Sequence, residues 1–365
     1  MYQQSGRSVG FMELTDSQEE NYVSRGIQEF IVYYSNRLSY EDLSELIQRT
    51  SGADLISSQG AWNIVQQNVQ QLSDQLSEQF TATPKTERSP LKYQLSESLD
   101  LYDRSSPEIL LFDDGILVKA QKEKREKPTP ELVESIAIEN SEREKTNVLS
   151  DVILLQIELG KFEYLLPPIN TDGTFRIPIE DMILQRLHHH YASWTKPLPL
   201  VIISDGARVI RQRIERMFGL GICVILDWYH LSKKIRDLMS MIAQNKTDKV
   251  AHIKVLLCLL WQGKVKEAMI YLKTQVTVRN STKHQELLTY LDKHQAEIID
   301  YKRRKQAGKS IGSGRMEKAV DQVIGHRQKR KGMSWRPQGS RALALLKVLE
   351  LNRGWHDFWF PSATH

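Results

Sequence analysis

The periodicity of this 365-residue chain changes kind at Asp227. Before it lie short apolar runs with the length and β-branched content of buried strands: Ile109 to Phe112, Ile116 to Val118, Val152 to Ile157, Phe162 to Leu166, Leu200 to Ile203 and Ile222 to Leu226. Helical patterns fall between the later ones, at 178–192 and 207–218. Strand, helix, strand across 200–226 is a βαβ unit, which predicts that its two strands run parallel. From 229 to 300 only helical patterns remain, as in WYHLSKKIRDLMSMIA and QELLTYLDKHQAEIIDY. The chain is therefore expected to be α/β, with an all-helical block interrupting the α/β part. Its length exceeds one compact core, so two or three folded units are expected.

Ahead of the strands, residues 22–72 read as a small helical unit. Ile27, Phe30, Ile31 and Tyr34 share one helical face, and Ser39-Tyr-Glu-Asp42 is a capping-box pattern that starts a second helix. After the break SGADL, Ser57 or Ser58 can cap a third helix, through Trp62, Ile64, Val65 and Val69. Helix, short glycine-containing turn, helix is the outline of a helix-turn-helix. Gln59 and Asn63 on the last helix offer amides suited to adenine edges or phosphates. The polar, Ser/Thr/Gln-rich stretch at 76–106 reads as a linker, and the charged stretch at 120–148 as a loop.

Charge is unevenly spread. The whole chain carries +5, whereas 302–336 holds twelve Lys or Arg against Glu317 and Asp321 alone. A local field of that strength suits a polyanion. Cys223 and Cys258 each sit in an apolar run, form no CxxC pair, and are expected to be buried thiols in a reducing compartment. No apolar stretch reaches signal-peptide or membrane-span length, so the expectation is a cytoplasmic protein. His188-His189-His190 reads as the exposed tip of a helix rather than a metal site.

The chemistry lies in the acids. ILLFDDG places Asp114 at a strand end before Gly115, LVIISDGA places Asp205 before Gly206, and ICVILDWYH ends its strand at Asp227. Ligands collect beyond the carboxyl ends of strands in open α/β sheets, and an antiparallel first strand could bring its own acid to that edge. Carboxylates gathered in one place repel, and a divalent cation is the usual reason to tolerate them. A further acid, Glu317, follows Gly312-Ser-Gly314 in the first turn of a helix that Val320, Val323 and Ile324 would pack onto the sheet.

SDGA, LDWYHLSKKI, a long helical stretch, IGSGRMEKAV, KGMSW and LLKVLELNRGWHDFW occur in this order over roughly 105–360. In that arrangement the chain resembles the DDE transposases of bacterial insertion sequences, in particular the Kra-type family, itself distantly similar to the eukaryotic Mutator-like elements. The resemblance implies a ribonuclease-H-like core with a helical insertion between the second Asp and the Glu. The parts would be a helix-turn-helix-like module at 1–75, a linker at 76–106, core at 107–230, insertion at 231–310 and core completion at 311–365. It further implies that Asp114, Asp205 and Glu317 are the catalytic acids and hold two Mg²⁺ ions, for which Mn²⁺ can substitute. Asp113 competes for the first role, but Asp114 shares the Asp-Gly context of Asp205. Asp227 and His230 match the family's D-x-x-H element, a supporting pair beside the metal site. Arg315, Arg327, Lys329, Arg330, Lys331 and Trp335 would lie near DNA, together with Gln59 and Asn63 of the first module; Trp335 would either stack or pack. The implied partners are double-stranded transposon-end and target DNA and further copies of the chain, in association with the nucleoid. The amino-terminal part is short and lacks a Cys/His metal cluster, and the charged excursion after the first strand departs from the family pattern. Two alternatives are a DNA-binding regulator without catalysis and a nuclease on the same fold.

Overall fold

The computed structural model describes residues 2–4, 7–9, 23–81, 91–122, 147–312 and 314–361. Most of the charged stretch at 120–148, part of the 76–106 linker and Ser313 of the Gly-Ser-Gly turn lie outside them. Two short strands, β1 (Tyr2–Gln4) and β2 (Arg7–Val9), pair with each other alone.

The helical unit that follows is built as its caps dictate. Ser24 caps α1 (Arg25–Ser35), and the Ser39–Asp42 capping box opens α2 (Tyr40–Ser51). Gly52 closes α2 with φ 75°, a left-handed conformation that glycine adopts without steric cost. Ser57 Oγ accepts from Gly60 N at the head of α3 (Ser58–Thr81), which runs six residues beyond the expected module boundary at 75. The unit is joined to the rest of the chain by polar contacts. Arg176 binds Asp74 and Gln70 of α3, and Arg327 donates to the Ser35 carbonyl.

The main sheet has five strands in the order β5-β4-β3-β6-β7: β3 (Ile109–Lys119), β4 (Asn147–Glu158), β5 (Lys161–Leu165), β6 (Leu200–Ser204) and β7 (Cys223–Leu226). β5, β4 and β3 form an antiparallel meander, and β3, β6 and β7 run parallel. The parallel pairing of β6 and β7 around α5 (Arg208–Phe218) is the expected βαβ unit.

Two expectations are corrected here. The runs at 109–112 and 116–118 are one continuous strand, so Asp114 lies within β3 rather than at its end. The even residues Leu110, Phe112, Ile116 and Val118 all join one core cluster, so the pleat passes unbroken through Asp113-Asp114-Gly115. The first strand is also parallel, not antiparallel, to its neighbour β6.

One face of the sheet packs on α4 (Ile179–Tyr191) and α5, through Leu111, Ile153, Ile202, Ile183 and Ile214. The other face supports α6 (Trp228–Ile242) and the carboxy-terminal helices. Those are α11 (Gly314–Val320), which continues through a wide π turn at Asp321–Gly325, then α12 (Pro337–Leu351) and α13 (Trp355–Trp359). The helical block between consists of α7 (Lys246–Trp261), α8 (Val265–Gln275), α9 (Ser281–Lys293) and α10 (Tyr301–Gln306). Cys223 is buried as expected, but Cys258 is exposed. α7 turns only Leu256 and Leu260 fully inward, and Cys258, midway between them, comes out on the opposite side of the helix. Among the described residues, no helix is long and apolar enough to cross a membrane.

Candidate active site

Strand register brings three acids to one level. Asp113 pairs with Ser204 across β3 and β6, and Ser204 pairs with Leu226 across β6 and β7. The next residue along the chain is Asp114 within β3, Asp205 just past β6 and Asp227 just past β7. Phe112, Ile203 and Ile225, each two residues earlier, all belong to the core beneath α6, and the three acids lie close enough for Asp205 and Asp227 to act on Asp114. Asp114 and Asp205 are half-buried, and Asp227 is fully buried.

Each acid is held differently. Asp205 Oδ1 accepts from Ala207 N at 2.7 Å, closing a tight turn over Gly206. Gly206 has φ 80°, and a β-carbon there would lie 2.8 Å from His294 Cε1 and from Leu226 Cδ1. Only glycine fits. His294 is buried, with Nδ1 2.5 Å from Glu297 Oε2, and Arg211 binds the other Glu297 oxygen at 3.1 Å. The helical block thus braces the Asp205 turn from behind. It also holds the end of β7: Leu226 N donates to the Glu297 carbonyl and Tyr301 Oη to the Leu226 carbonyl. Asp227 caps α6, its Oδ1 accepting from Tyr229 N at 2.6 Å and His230 N at 3.3 Å. This cap sets His230 on the first turn of α6.

Electrostatics tie the group together. Burial pushes the Asp114 carboxyl up to about 6; His230 opposes the rise, while Asp205 and Asp227 add to it. Asp113 lies on the other face of the sheet. It points to the α5 face, where Arg213 binds it at 3.0 Å and Asp151 at 2.9 Å. Burial raises Asp113 and Arg213 holds it back. Asp113 is pushed up to about 7, with Asp151, Asp114 and Asp205 adding to burial, and its bond to Arg213 ties it into the sheet–helix packing.

Glu317 stands apart from the aspartates. It is exposed on α11, whose buried Met316 and Ala319 pack the helix over the Asp114 face of the sheet. Arg315 beside it lies 4.6 Å over the Phe162 ring. Gly312, near the start of α11, approaches Asp227 so closely that a β-carbon would be 3.0 Å from Oδ1. Among the described residues, no three His, Cys, Asp or Glu side chains converge closely enough to hold a metal as placed. Asp114 and Asp205 nonetheless offer hard oxygen donors of the kind a divalent cation takes.

The proposed DNA contacts divide. Lys329, Arg330 and Lys331 are exposed, and so are Gln59 and Asn63, which bond to each other at 3.0 Å. Arg327 is buried, donating to the Ser35 carbonyl and lying 4.9 Å over the Trp335 ring, so its guanidinium is not presented to DNA. Trp335 is buried too, bonded to the Gln328 carbonyl and bridged to Ala120 beyond β3; it packs and does not stack on bases. Within the histidine run only His189 is exposed, and His190 pairs with Glu163 at 2.9 Å. Sequence reasoning missed Arg213 and His294: one Arg of four in an amphipathic helix and a His after a charged one carry no signal of their partners. No protein-family model matches the chain, and no curated protein matches it.

Proposed function

We propose that this protein is a DDE-type DNA transposase that cuts transposon ends and joins them to target DNA, on a ribonuclease-H-like core with a helical insertion. The observation that carries this reading is the level alignment of Asp114 in β3 with Asp205 and Asp227, each one residue past the end of the adjacent parallel strands, without a neutralising Lys or Arg bonded to Asp114 or Asp205 among the described residues. The order of motifs along the chain supports it independently. A five-stranded sheet with a central first strand, an antiparallel meander on one side and a βαβ unit on the other is compatible with such a core.

Asp114 and Asp205 would hold Mg²⁺ or Mn²⁺, with Glu317 as the third acid, delivered by α11. The ions, when bound, activate a water or a 3′-hydroxyl and stabilise the departing 3′ oxygen. The chain's own residues fix the geometry. The Asp205 turn is held by Ala207 N and by His294 packed against Gly206, and Asp227 holds the start of α6, and with it His230, beside Asp114. Glu317 is exposed, so closure of α11 toward Asp114 belongs to the proposal; Gly312 and Gly314 are residues with wide backbone freedom. No covalent protein–DNA intermediate is required. Lys329, Arg330 and Lys331 would contact phosphates of double-stranded end or target DNA, and the protein would act as an oligomer, in association with the nucleoid.

The decisive experiment compares wild type with Asp205→Asn on DNA carrying the element ends. The variant should lose Mg²⁺-dependent cleavage while retaining DNA binding in a gel shift. Undiminished cleavage by Asp205→Asn would refute the assignment. A strand-transfer product separates a transposase from a nuclease, which cuts without joining.

A further inference from the structure

An open trough of about 800 Å³ lies between α6 and α9 of the helical block. One end of it backs onto the Asp205 turn through buried contacts. Tyr290 lines the trough, its ring lies 4.7 Å from that of His294, and His294 packs against Gly206 next to Asp205. Asp205 and Asp227 act on the Tyr290 phenol, adding to burial in pushing it up. On the other wall, Lys234 follows His230 by one turn of α6, so both project from the same side of that helix.

The lining is rich in hydrogen-bonding groups. Lys234 in the lining and Lys283 beside it each bind one oxygen of Glu286 at 2.8 Å, and Lys234 lies 5.8 Å over the Tyr290 ring. The two ammonium groups hold the Glu286 carboxyl down at about 2, so it stays ionised and the group of three carries a net positive charge. Hydroxyls of Ser281, Thr282 and Thr289 and the amide of Gln285 complete the walls. Hydroxyl, amide and ammonium donors are the groups that contact phosphate and sugar oxygens, and the Tyr290 ring gives the trough an apolar wall beside them.

We infer that this trough binds the sugar–phosphate backbone of one DNA strand and leads it to Asp114 and Asp205, with Lys234 and Lys283 as the phosphate contacts. The inference rests on the transposase reading above. Glu286 holds both lysines in position before DNA arrives and competes with phosphate for them. Removing its charge should therefore tighten binding, whereas a purely structural role for this group predicts no gain.

The test measures binding of the full-length protein to a fluorescently labelled DNA duplex in EDTA, across a salt series, with circular dichroism to check folding. Lys234→Ala/Lys283→Ala should weaken binding several-fold and lower the slope of log K against log salt by about 1 to 2. Glu286→Gln should strengthen binding a few-fold. Should both variants bind as wild type while Lys329→Ala/Arg330→Ala/Lys331→Ala binds more weakly, the trough assignment is overturned and the transposase reading stands. Polyglutamate that displaces DNA from wild type and loses affinity equally in the double variant would overturn it in favour of an acidic protein partner. A wild-type protein that does not bind DNA overturns both.

Discussion

Asp113 and Asp114 are neighbours on β3, yet the pleat sends them to opposite faces of the sheet. Asp113 enters a buried group with Arg213 and Asp151 that ties β3, β4 and α5 together. Asp114 meets Asp205, Asp227 and His230, and its carboxyl is pushed up to about 6. Acids repel on both faces, but on the first Arg213 bonds directly to Asp113 and Asp151 within 3.0 Å. On the second, among the described residues, no Lys or Arg bonds to Asp114 or Asp205, and His230 opposes the repulsion on Asp114. Folding alone favours the first arrangement. The second persists at a cost to stability, which the cation proposed above would offset.

The largest expected effect lies on the matched face. Arg213→Met leaves Asp113 buried without its partner and should cost ~3–5 kcal/mol, read as a lowered midpoint in urea unfolding. A variant as stable as wild type would show that the ion group on that face is idle. The mirror experiment on the other face has the opposite sign. The folded protein keeps a proton on Asp114 up to about pH 6, whereas an ordinary aspartate keeps it only to about 3.8. Folding takes up a proton between these values, so stability falls as pH rises through that window and stays low above it. Asp114→Asn should therefore be more stable than wild type at pH 7.5, by on the order of 2 kcal/mol, with the difference vanishing below about pH 4. It should also be inactive. A destabilised Asp114→Asn protein would erase the contrast between the two faces.

The two faces were unequally legible in the sequence. Asp205 could be read from its strand, its Asp-Gly turn and the motif around it, all of which are local. Asp114 could be picked out but was misplaced at a strand end, because Asp-Asp-Gly looks like a turn. The even-numbered apolar residues on either side show the pleat running straight through. Asp227 was recognisable as a strand end, but its capping of α6 depends on backbone geometry beyond it. The count of cations in 302–336 could not separate Arg304 and Arg327, which are buried on backbone carbonyls, from the exposed Lys329 to Lys331. A run of charge records composition, not which guanidinium a tertiary contact withdraws from solvent. The bracing of Asp205 by His294 joins residues far apart in the chain, and no local pattern announces it.

That brace supplies the next test. Gly206→Ala must place a β-carbon against His294 and Leu226 at a φ of 80°. A cost of ~2 kcal/mol is expected from the strained backbone and the crowding. If the braced turn serves the acid cluster, the same substitution should weaken divalent-ion binding more than an equally destabilising change on the α5 face does. Equal ion affinity in the two variants would reduce His294 to a packing residue.

The smallest effect asks whether the unmatched face takes a cation at all. Raising Mg²⁺ or Mn²⁺ to about five times its dissociation constant should stabilise the wild-type fold by ~1 kcal/mol, since only the folded chain assembles the site. The shift in thermal midpoint should be absent in Asp205→Asn, which halves the charge offered by the Asp114–Asp205 pair. It should persist in Glu317→Gln if that exposed side chain joins the aspartates only when DNA is bound. An equal loss in both variants would mean that α11 closes on the metal alone, bringing Glu317 into the cluster before substrate arrives. A shift unchanged in Asp205→Asn would place the cation elsewhere and leave the repulsion around Asp114 without its proposed counterpart.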